Sequence, residues 1–206
     1  MNVNGIFNPQ NRFWSFIENM MNLCVLGLLW LLCSLPLITA GASTAAMFHY
    51  TLELTKNEEG YVGKTFIRGF RSLFVRATLL WMIMAGAALF LVFDLYCCQF
   101  IIFSAVLRQA ARILILSLMI LSVATGLYLF PFLAFFRTTV KQTLIRSFIT
   151  AVANLHITAV VLLIYGLGAA ASYLVPPLFM IWFAFASYAA SFCFAVVFRR
   201  YEEGVQ

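Results

Sequence analysis

Charge is scarce in this 206-residue chain: Asp, Glu, Lys and Arg together make up 10% of it, against about a quarter in an ordinary soluble domain. A soluble fold of this length needs polar faces on its helices and strands, and too few polar side chains are present to furnish them. Chemistry-bearing clusters are missing as well. HExxH, GxSxG and Walker-type loops are all absent, and His49 and His156 stand far apart in the sequence. The five cysteines, Cys24, Cys33, Cys97, Cys98 and Cys193, form no CxxC pair, which excludes an obvious zinc site or disulfide framework. Thiols inside apolar runs read as small packing groups. The expectation is a protein that is not an enzyme, with no cofactor and no metal.

Long apolar runs are what the chain has in abundance: 64% of its residues are hydrophobic. Residues 20–40 (MMNLCVLGLLWLLCSLPLITA) carry no charge and match the roughly 20 residues a helix needs to cross a bilayer. Arg12 ahead of a run closing on Ala40, Gly41 and Ala42 has the outline of a secretory leader. The run exceeds the roughly 7–15 apolar residues of a leader, so an uncleaved anchor is expected. Further spans are predicted at 77–95, 113–136, 156–175 and 178–198. The fold class is therefore all-α, a single polytopic membrane helix bundle of about five transmembrane helices.

The formal charge of +6 is distributed between these spans, as where Lys and Arg set topology and meet anionic headgroups, and nucleic acid is not an expected partner. Residues 51–76 and 137–147 read as cytoplasmic loops. In the first, Phe66, Phe70, Leu73 and Phe74 recur at helical spacing with Arg68, Arg71 and Arg76 between them, the pattern of an amphipathic helix on the inner membrane face. With five spans, Lys and Arg of these loops and of Arg199-Arg200 fall on one side, and Arg12, Arg108 and Arg112 on the other. Positive-inside then places the N-terminus outside and the C-terminus in the cytoplasm. Residues 1–19, with Phe7, Phe13, Trp14 and Phe16, read as interfacial, 99–112 as an outer hairpin or interfacial helix, and Pro176-Pro177 as an outer turn.

Two prolines punctuate the apolar runs. Pro36 is followed by Thr39, Gly41, Ser43 and Thr44, and Pro131 follows Ser117, Ser122 and Thr125. Proline interrupts the helical hydrogen-bond ladder, and irregular backbone at membrane depth is tolerated where it is buried in protein or lines a cavity. These are the positions for a solute pathway. Glu53 lies four residues after His49 and can share its helical face, Glu58-Glu59 read as a solvated turn closed by Gly60, and Asp94 reads as a span end meeting water. An internal echo pairs TFIRGF at 65–70 with TLIRSF at 143–148.

Phe13-Trp14, the run LWLLCSLPLIT at 29–39 with Gly41 and Ser43-Thr44-Ala45-Ala46, and Glu58-Glu59-Gly60-Tyr61-Val62 with Lys64 and Phe66 resemble the YesL family of bacterial membrane proteins, the domain of unknown function 624. The chain departs from that pattern at Ala42 and His156, where proline is common. The resemblance implies a multi-pass protein of a Gram-positive (Firmicutes-type) cytoplasmic membrane, with no assigned activity. It also implies association with carbohydrate ABC transport, as an accessory or regulatory component beside the permease or ATPase subunits. The docking or lipid-contacting residues of that reading are Glu58, Glu59, Tyr61, Lys64, Arg68, Arg71 and Arg146. The alternative is a small autonomous transporter or channel, as a homo-oligomer, with its route at Pro36 and Pro131.

Overall fold

The structure, a computed structural model, describes residues 12–56, 60–101, 104–174 and 178–203. Seven α-helices account for nearly all of these: α1 (Arg12–Ser34), α2 (Ala40–Thr55), α3 (Val62–Ile101), α4 (Ala105–Phe136), α5 (Val140–Ala153), α6 (Leu155–Leu174) and α7 (Leu178–Glu203). Five of them, α1, α3, α4, α6 and α7, are long and apolar enough to cross a membrane. Glu58, Glu59 and Pro176-Pro177 lie outside the described residues, as do residues 1–11 and the side chains of 12–16.

The expected first span, 20–40, is divided. α1 ends at Ser34, one 3-10 turn covers Leu37–Thr39, and α2 starts at Ala40. Pro36 brings no N–H to the ladder, and Thr39 repairs the bend by donating its hydroxyl to the Cys33 and Pro36 carbonyls at 2.6 and 2.8 Å. The small, hydroxyl-rich stretch after it is helix, because Ser43 and Thr44 return their hydroxyls to the carbonyls of Thr39 and Ala40, a bond that keeps them compatible with helical backbone.

Residues 51–76 are likewise not one loop. They hold the end of α2 and the start of α3, and the expected inner-face helix is continuous with the apolar span after it. Nothing between Val62 and Ala77 breaks a helix; no proline occurs there. At 40 residues and about 1.5 Å per residue, α3 is roughly 60 Å long, twice a hydrocarbon core. α4 runs unbroken through Pro131, which is buried. Residues 137–147 supply a short connector and the start of α5, which Asn154 closes before α6.

α2 doubles back on α1: the Trp30 indole donates to Thr44 at 3.1 Å and the Ser34 and Ser43 hydroxyls meet at 2.6 Å. α3 reverses again, with Gly41 against Ala77 and Trp81, and Gly69 against His49. α4 returns along α3, Trp81 facing Phe130, and α7 returns along α6, Tyr165 facing Phe183. One end of the bundle therefore gathers the start of α1, the α2–α3 and α4–α5 connections and the end of α7. There Lys56 stands over the Phe135 ring at 4.5 Å and Phe135 packs on Phe198. This is the basic end. At the other, Trp30 packs on Phe183 with centroids 4.2 Å apart.

Most of α2 is buried. Its Phe48 joins an aromatic stack with Tyr128, Phe132, Phe194 and Phe198, and its Met47 and Tyr50 pack with Leu23 and Leu26 of α1 and Phe66 of α3. Thr51 and Ser191 exchange a buried hydroxyl bond at 2.7 Å. The echo segments share an exposure pattern: Thr65 and Thr143 buried, Ile67 and Ile145 half exposed, Arg68 and Arg146 exposed, Gly69 and Ser147 buried.

A Cβ at Gly41 would stand 2.5 Å from the Trp81 Cβ and 2.8 Å from the Ala77 carbonyl oxygen, and one at Gly168 would overlap the Trp182 indole. Gly86 has nothing within 4 Å. Gly41→Ala and Gly168→Ala are expected to cost about 1–3 kcal/mol by overpacking, and Gly86→Ala to leave stability unchanged or slightly raised. Thermal unfolding of the three variants in detergent micelles checks the contrast.

Candidate functional site

The polar residues around Pro36 are bonded to one another and to nearby carbonyls. Thr39, Ser43, Thr44 and Ser34 spend their hydroxyls on one another, on Trp30 and on local carbonyls. Gly41 and Pro131 are packed inside the protein and Pro36 is on its surface. Thr125 does border an apolar groove between α3, α4 and α5, but its hydroxyl donates to the Leu121 carbonyl at 2.8 Å.

Polar chemistry concentrates instead at the basic end, around His49. The imidazole is 5% exposed, with Nδ1 3.2 Å from Oε1 of Glu53 and Nε2 2.9 Å from an Arg137 guanidinium nitrogen. A guanidinium only donates, so Nε2 accepts and the ring proton sits on Nδ1, pointing at the carboxylate. His49 thus joins the α2 carboxylate to the α4–α5 connector, and its ring rests on Gly69 of α3, where a Cβ would approach within 3.1–3.2 Å.

Arg137 is exposed, yet both its main chain and its side chain are bonded. It caps α4 in the left-handed region, φ 50° and ψ 34°, its N–H bonded to the Leu133 carbonyl. Arg76 of α3 donates to its carbonyl oxygen at 2.7 Å. A non-glycine residue there is strained by roughly 1–2 kcal/mol, and the Arg76 and His49 contacts offset that cost. Thr138 and Thr143 close the connector with a 2.9 Å hydroxyl bond. Both ring nitrogens of His49 are engaged, which suits a structural clasp better than a general base.

The i,i+4 pairing of His49 and Glu53 is visible in the sequence. Arg137 is not, being one of several loop charges until the fold brings it 88 positions back along the chain to His49. Of the docking residues, Tyr61, Lys64, Arg68, Arg71 and Arg146 are exposed, and none of the four cations has an ion pair among the described residues. Among these residues no group of three His, Cys, Asp or Glu side chains is placed to hold a metal.

Residues 23–95 match the family described as protein of unknown function, DUF624. The match supports the DUF624 family and covers α2, most of α1 and α3, the Pro36 bend, His49, Glu53 and Arg76, while Arg137 lies beyond it. No curated protein and no solved structure matches the chain.

Removing Arg137 leaves the buried Nε2 of His49 unsatisfied, and removing His49 empties the space against Gly69, so His49→Ala and Arg137→Ala are each expected to cost about 1–3 kcal/mol. The double variant should cost clearly less than their sum. Arg137→Gly loses the same bond but relieves the left-handed strain, and should be milder than Arg137→Ala by about 1 kcal/mol. Denaturant or thermal unfolding of the four proteins measures this; strict additivity would refute the coupling.

Proposed function

We propose that the chain is a non-catalytic accessory or regulatory component of a membrane transport complex, docking through its basic end. The carbohydrate ABC importer is the complex that the YesL resemblance implies, in the cytoplasmic membrane of a Gram-positive bacterium. The observation carrying this reading is the internal bonding at Pro36: the hydroxyls that a solute route would need are consumed between α1 and α2. What the protein offers outward is a cationic surface at one end, whose Lys64, Arg68, Arg71 and Arg146 have no ion pair among the described residues, and a partner or an anionic leaflet fits it.

The proposed sidedness differs from the five-span expectation. Once α2 counts as a return pass, the start of α1 and the end of α7 share the basic end, and every Lys and Arg except Arg108 and Arg112 belongs to segments there. Positive-inside then puts both termini in the cytoplasm. Fluorescent-protein and alkaline-phosphatase fusions at each terminus test it: fluorescence at both is expected, and phosphatase activity from an N-terminal fusion would refute it.

Crosslinking in native membranes followed by mass spectrometry tests the docking reading. Permease or ATPase peptides joined to α3 near Lys64 or to α5 near Lys141 are expected. Self-crosslinks alone, together with solute uptake by liposomes holding only this protein, would replace it with an autonomous oligomeric transporter.

A further inference from the structure

A cavity of about 300 Å³ lies between the first turns of α1, the last turns of α2 and the start of α3, lined by Glu18, Asn19, Asn22, Tyr50, Leu54 and residues 60–62. Glu18 and Asn22 are one helical turn apart and share a face. The side chains of Glu18, Asn19 and Asn22 have no ion pair or side-chain hydrogen bond among the described residues, so three polar groups converge on this space uncommitted. Glu53, at the same end, is engaged by His49.

The lining decides the ligand class. Among the described residues it contains a carboxylate, two amides and two tyrosines, and no Lys, Arg or His. An anion finds no counter-charge among these residues, whereas a cation finds acceptors and, in Tyr61, a ring that is 87% exposed. The volume stands at the small end of ligand pockets, which suits a headgroup-sized molecule. We propose that this cavity binds an ammonium group. Glu18 and the Asn19 and Asn22 amide oxygens accept its N–H hydrogens, Tyr61 covers it with its ring face, and Leu54 and Val62 pack against the attached carbons.

The ammonium has two sources, a phosphatidylethanolamine headgroup or a free amine. Calorimetric titration of the full-length protein in detergent micelles with ethanolamine, and with glycerol as a neutral comparator, tests the proposal. Saturable ethanolamine binding is expected, weakened about five- to tenfold by Glu18→Gln and about two- to threefold by Tyr61→Ala. Both residues are exposed, so the ligand-free melting temperature of either variant should stay that of the parent. Nanodiscs separate the sources: ethanolamine binding lost in phosphatidylethanolamine discs but kept in phosphatidylglycerol discs identifies a lipid headgroup, and equal binding in both identifies a free amine. Absence of saturable binding, glycerol binding as tightly as ethanolamine, or indifference to Glu18→Gln overturns the proposal.

Discussion

Two glycines on facing helices let α2 and α3 approach more closely than side chains ordinarily allow. Gly41 of α2 lies against Trp81 and Ala77, and Gly69 of α3 lies against the His49 ring. Between them they bring the length of α2 onto the first half of α3, and the rest follows from that contact. α2 is buried because α3 covers one side while α1, α4 and α7 take the others. His49 is then fixed where one nitrogen meets Glu53 and the other meets an arginine from α4, and the α4 terminus can hold a left-handed arginine because its guanidinium and its carbonyl both have partners. Close packing by small residues is how membrane helices associate where lipid supplies no hydrophobic contrast.

The five long apolar helices were legible in the sequence, since uninterrupted hydrophobicity is a composition signal that survives errors of a few residues. α6 and α7 begin within a residue of their predicted starts. α2 was not legible, and the reason is physical. Its 16 residues are shorter than a spanning run, and Ala, Gly, Ser and Thr near its start weaken hydropathy, although these same residues make it a core helix. The amphipathic start of α3 was read correctly as helical and wrongly as separate, because charge patterning marks where water begins and says nothing about whether the backbone stops there.

The candidate site divides the same way. His49 and Glu53 are neighbours through helical periodicity alone, which a sequence displays. Arg137 reaches them only through the antiparallel return of α4, which rests on contacts such as Trp81 with Phe130 and the aromatic stack around Phe198. Of the two prolines, Pro36 does interrupt the helix, whereas α4 runs on through Pro131. A proline at membrane depth frees a carbonyl, and the sequence cannot say whether a solute or a neighbouring hydroxyl will take it. Here the Thr39 hydroxyl takes the carbonyls of Cys33 and of Pro36 itself.

α3 is the element whose length constrains how the whole protein sits in a bilayer. Gly41, at the start of α2, packs near Ala77 and Trp81, so α3 continues about 20 residues, roughly 30 Å, past the α1–α2 bend, accompanied by α4. That hairpin exposes apolar side chains such as Leu89, Phe90, Phe93 and Ile120, which exclude water as its surroundings. A helix of about 60 Å cannot stand upright in a 30 Å hydrocarbon layer with both ends outside it and such residues dry, so tilt relative to the bilayer normal is the inexpensive adjustment. Lys64, Arg68 and Arg71, on the first turns of α3, have side chains long enough to reach the headgroups from a tilted helix. The same end carries the clasp that joins α2 and α3 to the close of α4, so the point where α3 meets the headgroups is also the point where the three helices are tied together.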